Sequence, residues 1–224
     1  ATLGGLAALA LDLGRYQEAW DTYSEALAMT IQVGSLDMQA RECINLGYTA
    51  SFLGNYAAEK EYSLKAIDLG RRLQSPFLEA HALTNLGEAE RELGHIPEAV
   101  TALLASAACY QTAKRNDSEA LIDLALTYLA GHDLPAARQV AEKLEEKLTG
   151  RVNSASDAQR QMWAAACVWL ADGQDERART LLEQAYEMVE RKCADIPDAE
   201  SRKTFRQIIY NRQIIHFHET GSLK

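Results

Sequence analysis

Two asparagines stand at the same place in two near copies of one frame. The stretch RECINLGYTASFLGNY (residues 41–56) carries Asn45 just before Leu46-Gly47, and HALTNLGEAERELGHI (81–96) carries Asn85 just before Leu86-Gly87. A carboxamide offers a donor and an acceptor together, so an asparagine held at a fixed point can pair with one peptide unit of an extended chain. Two in register would pair with two, each bond contributing about 0.5–1.5 kcal/mol net where water is excluded. The same amides could instead bond to each other or to a neighbouring helix of the stack, and the pattern alone leaves both uses open. One turn earlier, Arg41 and His81 stand in register, where they could supply positive charge for an acidic side chain or a terminal carboxylate.

Other chemistries lack their residues. The chain has no phosphate-binding glycine loop, no Ser/His/Asp arrangement and no metal-ligand spacing, so neither catalysis, nor a metal, nor a cofactor is expected. Cys43, Cys109, Cys167 and Cys193 are widely separated and form no CxxC pair, which reads as four small buried hydrophobes in a reducing cytoplasm. His216 and His218 are two apart and point in different directions on a helix, as solvated tail residues, while His95 and His132 fall in turns. A formal charge of −9 and a pI near 5.1 repel phosphate backbones and anionic lipid, which argues against nucleic acid as a partner. No apolar run reaches the roughly 20 residues needed to span a bilayer, and no signal peptide is present, so no membrane association is expected.

The elements that position these residues follow from a repeat. Hydrophobic composition of 47%, abundant Ala and Leu and only 4 Pro favour an all-α chain able to bury a core, as one elongated domain or two compact ones. LGRYQEA, LGNYAAE, LGHIPEA, HDLPAA and GQDERA recur with Gly14, Gly54, Gly94, His132 and Gly173 at equivalent points, spaced 40, 40, 38 and 41 residues apart. An apolar helical stripe precedes each anchor and another follows it, so each unit reads as an αα-hairpin turned at the glycine. The expected units are about 1–34, 35–74, 75–115, 116–150 and 154–193. Ser35 or Asp37, Ser75 before Pro76, and Asn116 or Asp117 are the expected caps, and 149–157 is a polar loop with Gly150 as a stop and Ser154 or Ser156 as a cap. Residues 196–219 read as one helix with Phe205, Ile208, Ile209 and Ile215 on the stripe that covers the last hairpin. Over 191–215, Arg191, Lys192, Arg202, Lys203, Arg206 and Arg212 stand against Asp195, Asp198 and Glu200, a solvated cap face or a dock for an acidic neighbouring domain. The opening ATLGGLAALALDLG, without Met and already in helical rhythm, suggests a fragment of a longer protein.

Leu46-Gly47, Leu86-Gly87, Tyr128, Trp169, Ala19, Ala99, Ala137, Ala178, Ala26, Ala66 and Ala185 together fit the frame of the tetratricopeptide repeat, which the chain resembles over residues 1–193. The period near 40 exceeds the family's roughly 34 and is similar to the repeat arms of bacterial LuxR-type regulators and of large ATPase or nucleotide-cyclase signalling proteins. Glu59 departs from the family's Ala and Glu90 from its aromatic residue, either loosening the second and third units or sending charge to an edge. The resemblance implies a right-handed superhelical solenoid of five hairpins with a C-terminal capping helix. It also implies a peptide-binding groove along the first helices: Arg41, Asn45, Tyr48 and Phe52, then His81, Asn85, Glu88 and Arg91, then Glu119 and Asp123, with Arg160, Trp163 and Cys167 in the fifth unit. Only part of the family's carboxylate-clamp set is present. The implied function is a protein-interaction module of a larger bacterial cytoplasmic signalling or regulatory protein, binding a peptide segment or another domain of its own polypeptide. Two further readings stand beside it: a ligand-sensing arm of a transcription regulator or ATPase, and a self-association scaffold forming a homo-oligomer.

Overall fold

A computed structural model describes residues 2–148 and 158–223, and over them the chain is all-α with no strand. The helices are α1 (Leu3–Asp12), α2 (Tyr16–Val33), α3 (Leu36–Phe52), α4 (Tyr56–Arg72), α5 (Pro76–Glu92), α6 (Ile96–Thr112), α7 (Ser118–Ala130), α8 (Leu134–Leu148), α9 (Ala158–Ala171), α10 (Asp175–Asp195), α11 (Ala199–Gln207) and α12 (Ile209–Thr220). The polar stretch 149–157, with its expected stop at Gly150 and cap at Ser154 or Ser156, lies outside the described residues.

Local signals start and stop these helices where the repeat predicts. Asn55 accepts from the Ala58 N–H at the head of α4, and Ser75 accepts from the Leu78 N–H with Pro76 in the first turn of α5. Ser35 occupies the cap position of α3 but makes no side-chain bond there, and Asn116 accepts from the Ser118 N–H before α7. The hairpin turn needs one left-handed residue: Gly54 takes φ 69°, and at the fourth anchor His132 takes φ 59° although it carries a side chain. The backbone demand of the turn therefore survives where the glycine does not.

The chain divides into two compact units, one running to Thr127 and one beginning at Tyr128. In the first, each helix from α1 to α6 packs on the next, and the successive first helices α3 and α5 also touch directly. Fully buried small residues permit this closeness: Ala40, Ala50, Ala66, Ala80 and Ala99 are all at 0% exposure. Gly87 of α5 leaves room for the Leu103 side chain of α6. The Thr84 and Ser106 hydroxyls meet at 2.8 Å, and Ser106 also donates to the Ala80 carbonyl. In the second unit α8 packs on α9 and α9 on α10, with Trp169 buried and the Arg177 guanidinium 3.7 Å over its ring.

The C-terminal segment corrects one expectation. Residues 196–219 are two helices, not one: Ile208 leaves the helical region (φ −52°, ψ 132°), and Asn211, fully buried, donates to the Phe205 carbonyl across the break. The break resets the helical phase. Ile214 and Phe217 are therefore the buried residues of α12, which packs on α9 and α10, while Ile209 of the predicted stripe is exposed. His218 is exposed, as expected, and its ring also stacks on Tyr186 at 3.7 Å and meets Glu183 at 2.8 Å.

Gly87→Ala tests the close approach. In a helix this change ordinarily gains up to about 1 kcal/mol. Here the added methyl collides with Leu103, so we expect a net loss of about 1–3 kcal/mol in chemical denaturation.

Candidate functional site

The first helices α3, α5, α7 and α9 carry the residues at issue, but the structure uses them unevenly. Asn85 is buried at 7% exposure, and its amide N–H donates to the Ile44 carbonyl of α3 at 2.9 Å. The same nitrogen occupies the space over Gly47, 3.2 Å from where a Cβ would stand. Of the two uses open in the sequence, the bond to a neighbouring helix is the one Asn85 makes. Asn45 is half-buried; burial pushes the Glu42 carboxyl one turn back on α3 above the ordinary carboxylate range, with the Asn45 amide pulling the other way. The two equivalent amides thus serve different neighbours, and a backbone ladder through both is not presented.

The expected positive charges are engaged as well. Arg41 is exposed and pairs with Asp37 at 2.9 Å. Arg91 is only 12% exposed and reaches Asp123 at 3.3 Å, Glu92 at 3.1 Å and Glu88 at 3.8 Å. Asp123, with 2% of its side chain exposed, is accordingly a buried partner of Arg91 and not a groove residue. The Tyr110 hydroxyl donates to Glu119 at 3.0 Å, so the His81 Nδ1 at 3.0 Å must carry the proton of that contact. Burial lowers the His81 pKa against the opposing pull of Glu119, and His81 supplies no fixed positive charge. Arg160, Trp163 and Cys167 lie in the second unit; the Trp163 indole N–H donates to Gln213, and burial pushes the Cys167 thiol up to about 12.

What α3 does present is aromatic. Phe52 and Tyr48 are 38% and 37% exposed, their rings edge-on at 4.9 Å, and Tyr16 from the head of α2 stacks on Phe52 at 4.8 Å. Asp12, Phe52 and Glu92 are equivalent points of α1, α3 and α5, each the last residue of its helix and each exposed. Asp12 and Glu92 carry no expectation from the sequence. The signal for them is the spacing, since 12, 52 and 92 are one repeat of 40 residues apart, whereas the family frame places the groove earlier in each helix.

Beside this face lie charges placed in packing layers. Glu90, at the family's aromatic position, is pinned by Lys60 at 2.8 Å and His95 at 2.8 Å. Burial works to raise its pKa, yet these two partners hold it below the ordinary range. Glu59, at the family's alanine position, is fully buried with no hydrogen-bond partner on either carboxyl oxygen. Burial, then the nearby Glu88 and Asp123, push its pKa up to about 10, with Arg91 pulling the other way. The folded chain therefore keeps a proton that the unfolded chain releases near pH 4.5. The stability linked to that proton is fully present below pH 4.5 and is lost as pH rises towards 10. Glu59→Gln should raise the midpoint of thermal unfolding at pH 8 by at least ~2–4 °C, with the gain vanishing near pH 4.5; an equal gain at both pH values would contradict a protonated Glu59.

Residues 40–70, which cover most of α3 and most of α4, match the tetratricopeptide repeat model. No curated protein matches the chain. Among solved structures, the nearly identical TPR-like repeats of a putative kinesin light chain from Podosopora anserina superpose with a TM-score of 0.63 at 18% identity, covering 85% of this chain and 94% of that one. BtubC (BKLC) from P. vanneervenii gives 0.68 at 16%, covering 88% and 82%. The apo form of RapI gives 0.68 at 13%, covering 98% of this chain and 64% of RapI. Residues 40–70 are thus a tetratricopeptide repeat, set in a chain with the all-α, tetratricopeptide-like repeat fold.

Proposed function

We propose that this chain is a protein-interaction module that takes an extended peptide segment across the face formed by α1, α3 and α5 of its first unit. The observation that carries the reading is the exposed Tyr48–Phe52 pair, backed by Tyr16. Rigid aromatic rings offer a large contact area at little conformational cost, which is why they dominate the energetics of binding surfaces. A helical-repeat fold suits such a role, since each hairpin adds one more first helix to the same face. The module assigns no catalytic step to its residues. A larger bacterial cytoplasmic signalling or regulatory protein around it is part of the proposal and rests on the resemblance in period; no helix among the described residues is long and apolar enough to cross a membrane.

A second reading, self-association, is favoured by a different patch. Ile31 at 58%, Val33 at 79% and Met38 at 49% exposure cluster around the turn from α2 to α3. Sedimentation of the wild type and of Ile31→Ser/Val33→Ser separates the readings, because a concentration-dependent mass that this variant abolishes supports self-association.

For the leading reading, a displayed library of extended peptides should yield binders to the wild type. Their affinity should fall at least about tenfold for Tyr48→Ala/Phe52→Ala, equivalent to about 1.4 kcal/mol. Binders that ignore the double substitution would move the site elsewhere.

A further inference from the structure

A concentration of positive charge without internal partners lies at the end of the second unit, where α11 and α12 fold against α10. The contacts of Arg206 with Glu190 at 2.7 Å and with Cys193 at 3.3 Å seat the second half of α11 on the end of α10, next to Arg191. The Asn211 amide, donating to the Phe205 carbonyl at 2.9 Å, seats the head of α12 on the end of α11, next to Arg212. Lys203 stands one turn before Arg206 on α11. Three cations from three helices thus border one small surface.

Arg191, Lys203 and Arg212 are exposed, and none of their side chains has an ion-pair or hydrogen-bond partner among the described residues. Elsewhere this chain of 32 acidic and 23 basic residues pairs its exposed cations, Arg15 with Glu18, Arg41 with Asp37, Lys65 with Glu61 and Arg72 with Asp68. Of the acids in the segment, Asp198 caps α11 by accepting from the Ser201 N–H, and neither Asp195 nor Glu200 pairs with the three. Helix position adds a second sign. Arg212 is the fourth residue of α12, near the positive end of the macrodipole, and no acidic residue in the first turn offsets it. Three residues before it, on the same face, Ile209 is 58% exposed. Because α11 buries no residue, its packing gives no reason for Lys203. Folding alone explains neither the cations nor the open isoleucine, whereas a ligand carrying carboxylates and one apolar group would engage both.

We infer that the end of α10, α11 and the head of α12 form a second interaction surface, which takes an acidic peptide segment of another protein. Its carboxylates meet Arg191, Lys203 and Arg212, and an apolar side chain packs on Ile209. Charge selects this partner among the anions. Nucleic acid and anionic membranes spread their charge well beyond so small a surface, and the rest of a chain with a formal charge of −9 repels them. A short acidic segment touches the cap alone. Two of the three cations are arginines, whose planar fork can hold a carboxylate by two parallel bonds. The surface belongs to the second unit and is independent of the aromatic face of the first.

The test uses three labelled probes on the whole chain. One is a nine-residue peptide of Gly and Ser with Glu in the second, fourth and eighth places and Leu in the sixth, one has Gln replacing each Glu, and one is an oligothymidylate of ten nucleotides. Fluorescence anisotropy at low salt should show the Glu probe bound and the Gln probe not. Its affinity should fall about tenfold or more in Arg191→Gln/Lys203→Gln/Arg212→Gln, and fall also in Ile209→Ser, while Arg212→Lys keeps most of it. Arg15→Gln/Arg72→Gln/Lys114→Gln, which removes the same charge from the first unit, and Tyr48→Ala/Phe52→Ala should both bind the Glu probe as the wild type does. The cap side chains are exposed, so the midpoint of thermal unfolding should stay within ~2 °C of wild type, which sets lost binding apart from lost folding. Absence of Glu-probe binding overturns the inference, and so does an equal loss in the first-unit charge variant, which marks general attraction. Oligothymidylate bound more tightly than the Glu probe through the same three residues assigns the surface to nucleic acid and overturns it too.

Discussion

The close seating of α5 on α3 is the contact on which the rest of the first unit depends. It is made possible by the missing side chain at Gly47 and locked by Asn85, whose amide fills that space and donates to a carbonyl of the facing helix. A polar group buried this deeply is costly unless bonded, so the hydrogen bond selects one register and penalises a slip. One repeat further on, Gly87 performs the same service for the packing of α6 on α5. Because the register is held, residues about 40 apart in the chain are brought together, as Asn85 is with Ile44.

Charge is handled in three ways within that frame. Glu90 is paired, with Lys60 and His95 satisfying both oxygens. Asp123 is buried against a guanidinium that serves two other carboxylates as well. Glu59 is neutralised by keeping its proton, because burial and the nearby Glu88 and Asp123 outweigh the pull of Arg91. Each solution has a different physical origin: direct Coulombic attraction, a shared ion network, and a shift of protonation driven by loss of water.

Much of the fold was legible because its signals are local. The hairpin turn requires a left-handed residue, and the anchors mark it even at His132, where the glycine is absent. The apolar stripes and the caps at Ser75 and Asn116 act within a few residues of themselves. The break at Ile208 was not legible, since it has neither Gly nor Pro at it; it is stabilised by the buried Asn211 and by the packing of α12 on α9 and α10.

The candidate site divides along the same line. By itself the sequence determined the periodicity, the all-α hairpin repeat and which residues occupy equivalent points, because these depend on spacing along one chain. Only the tertiary structure decided how each side chain is used: Asn85 in the stack, Arg91 among carboxylates, His81 against Tyr110, and Phe52 left exposed beside Tyr48 and Tyr16. A side chain's partner is chosen by what the neighbouring helix brings within about 3 Å of it. That choice is non-local, and two identical frames such as those of Asn45 and Asn85 can resolve it differently.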